Sequence, residues 1–202
     1  MHPAIQLALR AALSVAEHYA QVADRYELAR KDNELPELLA FCSKKVEQSL
    51  ARQLIRAYPE ASFSGIYQQI SGQGPLKWQV NSLLGYTNLS RGFPVYGLSL
   101  SIYNAEKLEH AIIYNPATDE EFIASRGRGA SLNGKRIRVT SGYNPSNATL
   151  ALSYPCAEKT AIYLPTYLNL AENLGVDSLV NRNCPSLDIF ALAAGQLDAG
   201  IF

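Results

Sequence analysis

Apolar positions recur at helical spacing through the first sixty residues and switch to alternation after that. Ile5, Ala8, Leu9, Ala12, Val15, Ala16 and Tyr19 mark one face of a first helix, with Pro3 near its first turn. The polar run Arg30-Lys31-Asp32-Asn33-Glu34 interrupts the stripe. A second helix is expected from Pro36 to Tyr58, burying Leu39, Val46, Leu50, Leu54 and Ile55, and Pro59 ends it. Strands are then expected at Phe63–Tyr67, Lys77–Asn81, Tyr96–Tyr103, Glu109–Asn115 and Glu121–Ser125, with Leu98, Leu100 and Ile102 alternating against Ser99 and Ser101. Asn133-Gly134 fits a tight hairpin turn that closes an antiparallel meander.

Beyond Tyr143-Asn144-Pro145-Ser146 the pattern becomes strand (Thr149–Ser153), helix (Lys159–Leu174), strand (Ser178–Arg182), helix (Leu187–Ala194) and an apolar strand from Leu197 to Phe202. Alternating β and α implies a second, parallel sheet with crossover helices. The expected division is residues 1–145 as an N-terminal α+β lobe and 146–202 as a partial C-terminal α/β lobe. Such a parallel sheet is normally covered on both faces, so the second lobe reads as incomplete.

Charge and composition exclude several classes. Eighteen basic residues balance eighteen acidic ones, which gives no global field toward nucleic acid or an anionic membrane. Arg126, Arg128, Lys135, Arg136 and Arg138 cluster around one hairpin, but without interleaved aromatics they read as a solvated face rather than an RNA surface. No apolar run approaches the length of a membrane span. Cys42, Cys156 and Cys184 lie far apart, which suits a reduced, cytoplasmic setting. His2, His18 and His110 are scattered and indicate no zinc site.

The most informative segment is Trp78-Gln-Val-Asn81-Ser-Leu-Leu84-Gly85-Tyr86-Thr87-Asn88-Leu89, a short strand entering a glycine turn. It resembles the W-V-I-D-P-L-D-G-T-T-N-F signature of the inositol monophosphatase family. Other blocks follow in order: Met1-His2-Pro3 before an alanine-rich helix, Arg56-Ala57-Tyr58-Pro59, Phe93–Ser99, Ile113-Tyr114-Asn115-Pro116, Gly127–Gly134, and Leu187-Asp188 with Ala193–Gly200. The resemblance covers essentially the whole chain. It implies a layered αβαβα fold, with an antiparallel first sheet under two N-terminal helices and an incomplete second lobe. It also implies homodimers and Mg²⁺-dependent hydrolysis of small phosphate monoesters. A bacterial member of the family acts in transcription antitermination, independently of catalysis, by contacting an elongation factor.

Mg²⁺ requires several oxygen ligands converging on one point. Matched position by position, the family's glutamate pair falls on Ile66 and Tyr67, and its two loop aspartates fall on Asn81 and Leu84. Leu83 keeps only a backbone carbonyl, and the first threonine of G-T-T becomes Tyr86. The family's D-x-V-T-x-x-D segment falls on Glu37, Leu39, Ala40 and Ser43, and its G-S on Asn183 and Cys184. The W-D motif would lie beyond Phe202. Between Glu60 and Asn104 there is no Asp or Glu, so no shift of register restores a carboxylate.

The expectation is therefore a pseudoenzyme with no catalytic residue, no bound metal and no cofactor, although the family would use Mg. It would act through a second copy or a protein partner, with transcription machinery the partner that the resemblance implies. The alternative is an active Mg-dependent inositol or sugar phosphate monoesterase with unusual ligands. Gly85, Tyr86 and Thr87 form a candidate anion turn, with a purely structural turn as the preferred reading. Tyr67 and Tyr86 are expected to fill the former cavity as packed aromatic bulk.

Overall fold

A computed structural model describes residues 2–141, 144–153, 160–174 and 178–202. The N-terminal stripe forms two helices, α1 (Pro3–Leu13) and α2 (Ala16–Lys31), where one was expected. The break lies at Ser14, whose hydroxyl donates to the Ala11 carbonyl at 2.8 Å and so competes with the helical ladder. His2 caps α1, its Nδ1 accepting from Ala4 N at 3.2 Å. A third helix, α3 (Leu35–Ala57), carries Pro36 in its first turn and stops ahead of Pro59, as proline sterics require.

The chain forms two compact units, Met1–Gly134 and Lys135–Phe202. In the first, strands β1 (Ser62–Ser64), β2 (Gln69–Ile70), β3 (Leu76–Leu84), β4 (Gly97–Asn104), β5 (Lys107–Asn115), β6 (Glu120–Ser125) and β7 (Gly129–Leu132) form a sheet in the order β2-β1-β3-β4-β5-β6-β7. The meander from β3 to β7 is antiparallel, as read from the sequence. The edge differs: the expected strand Phe63–Tyr67 ends at Ser64, and β1 pairs parallel with β3, Phe63 opposite Trp78. The first sheet is therefore mixed rather than purely antiparallel.

The helices pack on one face of this sheet. Trp78 and Val80 of β3, with Leu98, Leu100 and Ile102 of β4, meet Leu39, Val46, Leu50 and Leu54 of α3 in one buried cluster. Trp78 is fully buried and lies edge-on to Tyr58 with centroids 5.6 Å apart. Such pairs add to the burial of their area. At the end of the first unit Asn133 and Gly134 have φ of 47° and 73°, the left-handed pair that a type I′ hairpin needs. The turn leads into β8 (Lys135–Arg136).

The second unit contains β9 (Thr149–Leu152), α5 (Thr160–Leu174), β10 (Ser178–Val180), α6 (Pro185–Ala193) and β11 (Ala199–Ile201). Its strands form a parallel sheet in the order β10-β9-β11, the crossover arrangement expected from alternating β and α. The expected helix start at Lys159, the turn residue Tyr143 and the thiol Cys156 lie outside the described residues.

Candidate functional site

Strand β3 alternates strictly. Trp78, Val80, Ser82 and Leu84 face the helices, whereas Gln79 and Asn81 face solvent. The register against β4 slips between Asn81 and Leu84, a bulge that bends the strand into the glycine turn. Gly85 has φ of +66°, and a Cβ there would lie 2.3 Å from the Val95 carbonyl. Both constraints exclude a larger residue.

The positions matched to the family's ligands are scattered in what they present. Ile66 is 71% exposed and carries only hydrocarbon. Leu84 is buried, and Leu83 is half-buried with its N–H donating to Asn81 Oδ1 at 3.2 Å. The amide oxygen of Asn81 thus already accepts within a local Asx turn. Ser43 is buried, and its hydroxyl bonds to the Ser82 hydroxyl. Tyr67 and Tyr86 are 44% and 49% exposed, so neither is packed bulk as the sequence suggested. Without carboxylates to shape a cleft, both rings stand at the surface. Among the described residues no three His, Cys, Asp or Glu side chains come together as a metal-binding group.

The organising residue is one that sequence reasoning missed. Glu47 of α3 is completely buried beneath the turn that follows β1. Its carboxylate accepts from the backbone N–H groups of Ile66 (3.0 Å), Tyr67 (2.6 Å) and Gln68 (2.9 Å) and from Ser82 Oγ (2.8 Å). A Cβ on Gly65 would meet Glu47 Oε2 at 2.3 Å, so the glycine admits the carboxylate. Tyr19 O–H donates to the Ser82 carbonyl, which ties α2 into the same network. The available signal was an acid inside an apolar stripe, one residue after Val46 and one helical turn from Ser43 and Leu50. A buried carboxylate requires that many donors.

Burial holds the titratable neighbours protonated. The Tyr19 hydroxyl is pushed well above its ordinary range by burial first, then by the charges of Cys42 and Glu47. Burial pushes the Cys42 thiol up to about 12, and its Sγ donates to the His18 carbonyl at 3.4 Å. Cys184 is also raised by burial. Neither thiol has the lowered pKa of a nucleophile.

The glycine turn opens a short helix, α4 (Tyr86–Leu89). It is locked from within: Leu89 N–H donates to Gly85 O at 3.0 Å, Asn88 Nδ2 to Val95 O at 2.8 Å, and Ser90 Oγ to Thr87 O at 2.7 Å. Tyr86 and Thr87 are exposed. One turn of helix sums few peptide dipoles and offers an anion a weak field.

In the second unit Asp188 is completely buried and accepts from Arg182 Nε at 2.6 Å and Ser153 Oγ at 3.0 Å. Asp198 accepts from Thr149 N–H at 2.9 Å. Asn183, with φ of 54°, leads into Cys184 at the start of α6.

The model of the inositol monophosphatase family matches residues 1–202. The chain belongs to the inositol monophosphatase family. A relative named Nus factor SuhB from Pseudomonas aeruginosa is 32% identical over 206 residues, covering 98% of this chain and 76% of the relative. The Nus factor SuhB of Escherichia coli is 28% identical over 209 residues, covering 98% and 75%. The native crystal structure of extragenic suppressor protein SuhB from Bartonella henselae superposes with a TM-score of 0.77 at 24% identity, over 97% of this chain and 76% of that one. The inositol monophosphatase of Anabaena (Nostoc) gives a TM-score of 0.73 at 20% identity, over 95% and 71%. The layered α/β fold expected of the family is therefore the fold of this chain. Among the described residues no helix is long and apolar enough to cross a membrane.

Proposed function

We propose that this chain is a catalytically inactive member of the inositol monophosphatase family that acts through protein–protein contacts. The observation that carries this reading is the donor set along β3 and its neighbouring turn. Mg²⁺ dehydrates reluctantly and needs hard oxygen ligands in octahedral order. Ile66 and Leu84 supply no side-chain oxygen, Asn81 has its amide oxygen engaged by Leu83 N–H, and Glu47 is saturated by four donors inside the core. This set does not fit Mg²⁺, and no hydrolytic step is derived through it. The Gly85–Thr87 turn is read as retained architecture rather than as a substrate subsite.

The test pairs two measurements. Calorimetric titration with Mg²⁺ and Mn²⁺ is expected to show no saturable site, and inositol phosphate to release no phosphate above background. Metal-dependent turnover that Asn81→Ala abolishes would sink the proposal and establish a phosphatase with replacement ligands.

The name Nus factor carried by the relatives supports a narrower version, in which the partner belongs to the transcription machinery and the setting is the bacterial cytoplasm. Affinity capture from the native host is expected to recover a transcription elongation factor. Recovery of metabolic enzymes alone would count against this version. A homodimer is proposed from the family, and light scattering after size exclusion reads it directly: a stable monomer defeats it.

A further inference from the structure

A cavity of about 300 Å³ lies at the far end of β3 from the glycine turn, entirely within the first unit. Leu76, which lines it, lies eight residue steps along β3 from Leu84, which at about 3.3 Å per residue places it roughly 26 Å from the candidate site. Its polar lining is His2, the cap of α1, His110 and Glu109 of β5, Asn104 of β4, and Arg126 and Arg128 of the turn between β6 and β7. The two imidazole rings lie 5.5 Å apart between centroids. Arg126 reaches Glu109 only at 3.9 Å with its side chain 60% exposed, and Arg128 has no ion-pair partner among the described residues.

Two guanidinium groups and two imidazoles thus face one carboxylate. His2 spends Nδ1 on capping α1 and keeps Nε2 as a donor. The Nδ1 of His110 is buried and has no hydrogen-bond partner, so no neighbour fixes which nitrogen carries its proton. The groups facing His110 are His2 from α1, Arg126 and Arg128 from the β6–β7 turn, Asn104 from β4, and Glu109 beside it on β5. Burial, then His2, hold its pKa below the usual histidine range, with Arg128 adding to the effect and Glu109 opposing it. An anion in the cavity would reverse the balance.

We propose that this cavity is a binding site for a small phosphorylated compound, its phosphate held by Arg128, Arg126 and the two imidazoles. Arginine forks match phosphate oxygens in paired hydrogen bonds, and a phosphate offers three acceptors where a carboxylate offers two. The volume lies at the small end of the range for small-molecule pockets. The proposal stands apart from the reading of β3: it requires no metal and no catalysis.

The experiment is a titration of the full chain with inorganic phosphate and with sulfate, against chloride at matched ionic strength, followed by histidine ring resonances. Saturable one-to-one binding with shifts at His2 and His110 is expected. Arg128→Ala, at an exposed position, weakens it about tenfold or more, and Glu109→Gln tightens it by removing the competing carboxylate. Sulfate does not titrate in this range, so its affinity rises as pH falls through the histidine region. Equal shifts with chloride overturn the proposal, as does affinity unchanged in Arg128→Ala. So does binding that moves Tyr86 and Thr87 resonances but leaves the histidines still. A short single-stranded RNA that binds and that phosphate fails to displace overturns it too, in favour of a nucleic-acid surface.

Discussion

Among the described residues each unit of this chain encloses one completely buried carboxylate, and the two are held by opposite means. Glu47 sits among neutral donors, three backbone N–H groups and a serine hydroxyl, with no ion-pair partner among the described residues. Asp188 is held by a guanidinium, Arg182, whose side chain is one-third exposed, and by Ser153. A neutral cradle fixes backbone geometry because each donor is part of the chain itself. The ion pair ties two side chains, with one Arg182 donor to the Leu187 carbonyl at 3.2 Å, and retains a route to water through the exposed part of Arg182. The difference explains why the turn at residues 65–68 keeps its shape without carboxylates of its own: Glu47 supplies from inside the fold the negative charge that its N–H groups need.

The largest expected effect tests that statement directly. Glu47→Ala leaves three part-buried backbone donors without their acceptor and the Ser82 hydroxyl with Ser43 alone, and destabilises the first unit by about 3–5 kcal/mol. Glu47→Gln preserves volume but turns one acceptor into a donor facing donors, for about 2 kcal/mol. Trp78 is the single tryptophan, so its fluorescence in urea reports this unit. A Gln variant as stable as the parent would show that the cradle is not the organising feature.

Next in size is Asp188→Asn. Arg182 turns to solvent when its partner loses charge, so the expected cost is about 1–2 kcal/mol rather than the full cost of stranding a buried ion. Salt separates the two carboxylates more sharply than magnitude does. Raising ionic strength should shrink the Asp188→Asn effect, because its cation is partly solvated, and leave the Glu47→Gln effect unchanged. Hydrogen exchange at the amides of β9 and α6 follows the second unit. Equal salt dependence of the two would erase the distinction. Ser82→Ala is smaller again, about 1 kcal/mol, since it removes one donor of four to Glu47 along with the contact to Ser43.

These two carboxylates also mark what the sequence could and could not disclose. Proline positions and apolar periodicity bounded α3, and Asn133-Gly134 announced its turn, because those signals act over a few residues. The break at Ser14 was hidden because the apolar stripe continues through Val15, Ala16 and Tyr19 as if the helix did. The parallel pairing of β1 with β3 depends on a partner chosen at long range, which alternation does not encode. Ile66, Asn81, Leu83 and Leu84 were matched by motif to the family's ligand positions, and the structure adds what the motif lacked: which are exposed, which buried and which already hydrogen-bonded. Glu47 escaped because a charge among apolar residues looks like noise until its donors, nineteen to thirty-five residues away, are in place.

The smallest effect appears only in alkali and concerns the neighbours of the Glu47 cradle. The Cys42 thiol is pushed from 9.0 up to about 12 by burial. Below pH 9 both folded and unfolded chains keep that proton, and its contribution to stability is complete. Between about pH 9 and 12 the unfolded chain releases the proton while the folded one retains it, so stability falls as pH rises, by at most about 1.4 kcal/mol per pH unit. Tyr19 and Tyr96, raised from 10.0, join only above about pH 10. Cys42→Ala should therefore flatten the loss between pH 9 and 10 in the Trp78 signal and leave the steeper loss beyond it. It lowers stability at neutral pH slightly by removing a buried sulfur, so the slope and not the midpoint is the readout. Asp188 lies in the other unit, so Asp188→Asn should leave the alkaline slope of the Trp78 signal where it was. If Cys42→Ala and the parent lose stability in parallel from pH 9 upward, the thiol is reaching solvent, and the core around the cradle is looser than its hydrogen bonds imply.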